Sequence, residues 1–161
     1  MKLLKGNNNR NYDIVITDTF NDLNGYITKV HIPSSILVIT DDNVAKYYLE
    51  SVCEILGELA PVETHIITPG EQYKNLDTIT DIYNTCIKCK LDRSGMIVAL
   101  GGGVVGDIAG FVASSYMRGV PFIQIPTTIV AQNDSSIGGK VGVDYLAHKN
   151  MVGAFYNPIL V

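Results

Sequence analysis

The apolar run Met96-Ile97-Val98-Ala99-Leu100 passes directly into Gly101-Gly102-Gly103-Val104-Val105-Gly106. A short unbroken apolar run suits a strand covered on both faces, as in a parallel sheet. The glycines allow a tight turn and close backbone approach. Where G-x-G-x-x-G opens a helix, it leaves free N–H groups that attract a diphosphate. Such a junction commits a chain to alternating strands and helices, with ligands held at the carboxyl ends of the strands.

The remaining pattern fits that commitment. Tyr12 to Thr17 reads as a first strand and Ile36 to Thr40 as a second. Asp42 or Asn43 offers an N-cap for a helix from about Val44 to Leu59, with Val44, Tyr48, Val52, Ile55 and Leu59 at helical spacing. Glu63 to Ile67 is a third strand, Pro69-Gly70 breaks the chain, and Leu76 to Lys90 repeats the helical period. The glycine junction starts a helix running to about Met117, and Phe122 to Ile125 is a further strand. Residues 18–31 show no decisive period. The expected fold class is α/β: a Rossmann-like, mostly parallel sheet with helices on both faces.

Hydrophobic residues make up 47% of the 161 positions and charged residues 17%, enough to bury a core and to exclude disorder. The net charge of −4 argues against a nucleic-acid binder, which would carry a basic stripe. No apolar stretch is long enough to span a membrane. Met1-Lys2-Leu3-Leu4-Lys5 turns polar at Gly6-Asn7-Asn8-Asn9, too early for a signal peptide. Three cysteines are too few for a disulfide framework, so a cytoplasmic protein with reduced thiols is expected. Pro158-Ile159-Leu160-Val161 is strand-like with no polar closure, and suggests the first half of a longer protein.

Segment 101–161 holds 6 of the 28 charged residues but 10 of the 15 glycines. Charges scattered singly through such sequence are usually paired or face a ligand. Thr127 and Thr128 lie just past a strand end, and Asp134, Lys140 and Lys149 follow in glycine-rich loops. The two lysines suit a phosphate or carboxylate and Asp134 a hydroxyl, although Asp134 and Lys140 could equally form a structural ion pair. The acidic residue expected about twenty positions past a Rossmann glycine turn is missing. Asp41, at the end of the ILVIT strand, could take its place or could serve only at the helix entry. Lys140 is followed by Val141, so it is not a P-loop lysine. Cys86-x-x-Cys89 lacks a second ligand pair and reads as helix-face cysteines. His31, His65 and His148 share no ligand spacing, so no metal site is expected in this chain.

Taken together, PGEQYK at 69–74, GGGVVGD at 101–107, YMRGVPFIQIPTT at 116–128, AQNDSSIGGKVGVD at 131–144 and HKNMVGAFYNP at 148–158 closely resemble the 3-dehydroquinate synthase family. The resemblance runs from about Tyr12 onward, in order and in register. It implies that residues 1–161 form an NAD-binding N-terminal α/β domain. The helical C-terminal domain, with one Glu and two His ligands for Zn or Co, would lie outside this chain. The implied reaction converts 3-deoxy-D-arabino-heptulosonate 7-phosphate to 3-dehydroquinate and phosphate, in the shikimate route to aromatic amino acids. It also implies a homodimer.

By the same resemblance, Asp41 and Asn43 contact the adenosine end of NAD, and Pro69, Gly70, Glu71, Gln72, Tyr73 and Lys74 line the cofactor. Gly102, Gly103, Val104, Val105, Gly106 and Asp107 hold its diphosphate and nicotinamide ribose, and Thr127 and Thr128 also touch it. Asp134, Lys140, Lys149 and Asn150 sit where cofactor and substrate meet. Arg118 reaches a substrate phosphate, in this subunit or its partner. Two departures stand out: Asn133 before Asp-Ser-Ser, and the loop Asp144-Tyr145-Leu146-Ala147-His148. The expectation is that this chain alone binds NAD weakly and does not catalyse. Another sugar-phosphate cyclase, a metal-dependent glycerol or alcohol dehydrogenase, and a non-catalytic nucleotide-binding module remain open alternatives.

Overall fold

The structure, a computed structural model, describes residues 2–8 and 10–161, with side chains at Lys2 and from Tyr12 onward. Its centre is two adjacent parallel strands, β3 (Ile36–Asp41) and β5 (Met96–Gly101). Nearly every residue of both is buried, as expected for apolar strands covered on two faces. β4 (Val62–Ile67) pairs with β3 and β6 (Phe122–Pro126) with β5, giving a four-stranded parallel order β4-β3-β5-β6.

The helices cover both faces. α1 (Leu23–Val30) and α2 (Asp42–Gly57) lie on one side, where Ile27, Val52 and Leu56 pack against Ile36, Val38, Val98 and Leu100. α3 (Leu76–Lys88) and α4 (Gly103–Ser115) lie on the other, where Ile79, Ile82, Ile108 and Val112 meet Leu37, Ile39, Ile97 and Ala99. Alternate residues of one strand thus supply opposite cores, the period-2 consequence of a sheet buried on both faces. From β3 the chain crosses to one neighbour and from β5 to the other. The sheet therefore reverses its winding between them, and the crevice beyond their carboxyl ends is where such folds bind ligands.

The expected helices and parallel strands form within a few residues of their predicted ends. Four regions depart from the sequence reading. The strand expected at Tyr12–Thr17 is β2 (Arg10–Ile16), but it forms an antiparallel hairpin with β1 (Lys2–Asn8) instead of entering the parallel sheet. The segment 159–161 links this hairpin to the sheet edge: Leu160 bridges Asp13 on one side and Ile123 on the other. The undecided region 18–31 contains α1. The helix expected to reach Met117 ends at Ser115, because Met117 and Arg118 take left-handed backbone angles of φ 50° and 70°.

The glycine-rich loops expected after 138 are a second antiparallel hairpin, β7 (Lys140–Tyr145) with β8 (His148–Phe155). Glycine is a poor strand former, which hid this hairpin in the sequence. Here Gly142 stands opposite Gly153 and lets the two backbones approach closely. Val141 and Val143 turn inward onto α4, so the hairpin is docked beside the helix that starts at the glycine junction. Among the described residues, no helix is long and apolar enough to cross a membrane.

Candidate functional site

The crevice between β3 and β5 is a cleft of about 370 Å³. Asp41, Asn43 and Val44 line one wall, Ile67, Pro69 and Gly70 a second, and Gly102 to Val105 with Thr128 the third. A hollow of about 480 Å³ lies between α2 and the amino end of β4, lined by Glu50, Cys53, Glu54 and Thr64. It is the larger of the two, but its lining holds no cationic side chain and no helix N-terminus.

Gly102 and Gly103 keep that floor open. A Cβ on Gly102 would stand 3.2 Å from the Thr128 methyl, and one on Gly103 would stand 3.0 Å from Ser135 Oγ. α4 begins here with no side-chain cap on its first N–H groups. The hydroxyls of Thr127 and Ser135 are buried without a partner among the described residues. Uncapped helix N–H groups, missing side chains and orphan hydroxyls fit the diphosphate of a dinucleotide.

Asp41 does both things the sequence left open. Its Oδ1 accepts hydrogen bonds from Asn43 N–H at 2.8 Å and Val44 N–H at 3.0 Å, capping α2. The residue still lines the cleft, and its second carboxylate oxygen has no partner among the described residues. Gly106 behaves differently from its neighbours. It is absent from the cleft wall, and a Cβ there would meet Gln124 Oε1 at 2.6 Å, so this glycine serves helix–sheet packing.

One helical turn beyond Gly103, Asp107 meets Lys74. Lys74 Nζ lies 2.6 Å from Asp107 Oδ2, with the lysine almost wholly buried. The same ammonium donates to Asn150 Oδ1 at 2.5 Å. Burial pushes the Asp107 carboxyl above its ordinary value; the Lys74 hydrogen bond and charge pull it back, while Glu71 and Asp144 push it further up. Lys74 N–H donates to Glu71 O, and Glu71 in turn pairs with Lys149 at 3.2 Å, where both side chains are largely exposed. The latter contact is weak, so Lys149 is free to turn toward a ligand.

Other expected residues stand apart. Gln72 and Tyr73 accept from Asn75 and Thr78 through their carbonyls, securing the start of α3, and do not line the cleft. Asp134 and Lys140 are both exposed, and no ion pair joins them. Arg118 follows α4 and precedes β6, so it lies at the amino end of the sheet, opposite the cleft. Cys86 is buried with its thiol pushed up to about 12, chiefly by burial, and Cys89 Sγ donates to Cys86 O. No group of three His, Cys, Asp or Glu side chains among the described residues is placed to hold a metal ion.

Two residues of this region had no role in the sequence reading: Ser135, beside Gly103, and Asp144, which accepts from Asn150 N–H at 2.7 Å. Asp144 was visible there as one of only six charges in residues 101–161.

Residues 64–161 match the family described as 3-dehydroquinate synthase N-terminal. The chain belongs to the 3-dehydroquinate synthase family. Among curated relatives, the 3-dehydroquinate synthase of Ruminiclostridium cellulolyticum is 50% identical over 151 residues, covering 92% of this chain and 42% of the relative. The chain thus spans about two fifths of the length of the family member it matches. Of the solved structures, 2-deoxy-scyllo-inosose synthase complexed with carbaglucose-6-phosphate, NAD⁺ and Co²⁺ superposes with a TM-score of 0.93 at 30% identity, over 99% of this chain and 44% of that one. The 2-epi-5-epi-valiolone synthase of Streptomyces hygroscopicus, with NAD⁺ and Zn²⁺ bound, gives 0.82 at 27% identity over 98% of this chain and 44% of that one. The family resemblance read from the five motifs therefore holds.

Proposed function

We propose that residues 1–161 are the NAD-binding part of a cytoplasmic 3-dehydroquinate synthase. This enzyme, a carbon–oxygen lyase, forms 3-dehydroquinate and phosphate from 3-deoxy-D-arabino-heptulosonate 7-phosphate. The observation that carries this reading is the Lys74 junction. One buried ammonium ties together the PGEQYK loop, the glycine-junction helix and the β7–β8 hairpin, one helical turn beyond the Gly103 that lines the cleft.

Bound NAD⁺ supplies a hydride acceptor that becomes the donor again later in the cycle. The chain's own residues bind and orient. Gly102, Gly103 and the first turn of α4 receive the diphosphate, with Thr127 and Thr128 at the neighbouring strand end. Asp41, with one carboxylate oxygen uncommitted, accepts from a ribose hydroxyl. Asp107, held by Lys74, faces the nicotinamide end. Lys140 and Lys149 neutralise anionic oxygens of the substrate as mobile point charges, and Asp134 accepts from one of its hydroxyls. Asn150 completes the meeting point of cofactor and substrate. Arg118, displayed at the opposite edge, serves the substrate phosphate of a partner subunit in a homodimer.

The divalent ion that the resemblance implies, Zn or Co, has no ligand set among the described residues. Taken alone, the 161-residue chain then binds NAD weakly and turns nothing over.

The test is phosphate release from the heptulosonate phosphate in the presence of NAD⁺ and Zn²⁺ or Co²⁺. The reading predicts equal amounts of phosphate and 3-dehydroquinate from the complete protein containing this chain, and no phosphate from the chain alone. A different carbocyclic product would assign the protein to another cyclase activity. Turnover by the isolated chain would overturn the division of labour.

A further inference from the structure

Asn150 is held by two hydrogen bonds in an uncommon backbone conformation. Its backbone is left-handed, with φ 55°. Its N–H donates to Asp144 Oδ1 at 2.7 Å, and its side-chain oxygen accepts from Lys74 Nζ at 2.5 Å. Asp144 is itself anchored to the same lysine, because its N–H donates to the Lys74 carbonyl at 2.8 Å. The three residues close a ring joining the PGEQYK loop to both strands of the hairpin.

The chemistry of the ring fixes the polarity of Asn150. A lysine ammonium has only donors, so the amide atom facing it must be the oxygen. The Nδ2 group is then turned away from Lys74 and has no partner among the described residues. Asparagine tolerates the left-handed conformation, and the bond from its N–H to Asp144 fixes the turn locally.

We propose that Asp144 is a positioning residue that holds Asn150 in this left-handed turn, so that the Asn150 amide presents donors only, to a hydroxyl or carboxylate oxygen of the sugar-phosphate ligand. The inference deepens the cyclase reading and rests on it for the identity of the ligand. Asp144 touches neither cofactor nor substrate; it acts through the Asn150 backbone.

The experiment compares Asp144→Asn and Asp144→Ala with the unmodified complete protein, reading amide hydrogen exchange at Asn150 and the kcat and KM of phosphate release. Asparagine retains an acceptor at the same place and alanine does not. Loss of a hydrogen bond to a charged group predicts about tenfold faster exchange at Asn150 in Asp144→Ala, with kcat/KM lowered about tenfold. Asp144→Asn keeps both within about threefold, since a neutral acceptor retains about half of the bond's contribution. Unchanged exchange in a folded Asp144→Ala protein would overturn the proposal, as would equal losses in the two variants.

Should Asp144→Ala fail to fold, Asn150→Asp in the Asp144 background gives the decision. It keeps an oxygen for Lys74 but points a second acceptor outward, so kcat/KM falls about tenfold or more, and unchanged turnover contradicts donor-only recognition. If the unmodified protein releases no phosphate, the cyclase reading fails by itself, while the exchange data still decide whether Asp144 holds Asn150.

Discussion

The ammonium of Lys74 stands 2.6 Å from the carboxylate of Asp107, with 5% and 20% of the two side chains exposed. Breaking a buried pair from one side leaves a charge without compensation, whereas replacing both partners by apolar groups can be neutral. Lys74→Met is therefore expected to lower unfolding free energy by about 3 kcal/mol. It should also raise the Asp107 carboxyl further, because the hydrogen bond and the charge that lower it both come from Lys74. The double variant Lys74→Met with Asp107→Leu should recover most of that loss in a denaturant titration. A double variant as unstable as the single one would contradict this.

His65 gives the fold an acid-sensitive point. Burial holds its imidazole below the ordinary histidine value, with Asp81 pulling it partly back, and its Nδ1 lies 2.8 Å from Thr85 Oγ1. The folded value lies below the unfolded value of about 6.5, so the unfolded chain binds the proton first. The stabilisation is thus complete above the unfolded value and is lost as pH falls through the folded one. Denaturant midpoints measured downward from neutral pH should decline across that window, and His65→Gln should flatten the decline.

The cysteines should divide by burial. Cys86 is fully buried, and its thiol is pushed up to about 12, so almost no thiolate exists at neutral pH. Alkylation of the native chain followed by peptide mapping should leave Cys86 unmodified until denaturant is added. Rapid native labelling of Cys86 would contradict the packing of α3 against the sheet.

Two glycines of α4 should fail in different ways. A Cβ at Gly110 would collide with the stiff side chain of Val141 and press on Phe122. Gly110→Ala should therefore cost about 2 kcal/mol of stability by overpacking the hairpin contact. Gly103→Val projects toward the cleft beside Ser135 and should weaken NAD⁺ binding by about tenfold or more with little change in melting temperature. Equal stability losses in the two variants would deny the division between packing glycine and cleft glycine.

The parallel sheet was legible because β3 and β5 are buried on both faces and carry continuous apolar runs. The glycine junction was legible because its spacing has a backbone reason. The β7–β8 hairpin was not: Gly142 and Gly153 weaken any local strand signal, and their pairing depends on a cross-strand approach that no window of sequence contains. Lys74 was recognised only through the PGEQYK resemblance, since a lysine in a polar loop gives no local hint of burial. Its ammonium is held by Asp107 and Asn150, which arrive from distant segments. Asp41 and Asp144 share that lesson. Their carboxylates were visible, but the N–H groups they hold depend on how the chain turns around them.

The most direct test of the account is an NAD⁺ titration by calorimetry on the 161-residue chain and its Asp107→Ala variant, both shown to be folded by circular dichroism. The account predicts weak but saturable binding by the chain and at least about tenfold weaker binding by the variant. A folded chain that binds no NAD⁺, or a variant that binds it equally well, would contradict the assignment of the β3–β5 crevice and the adjoining Lys74–Asp107 pair as a cofactor site.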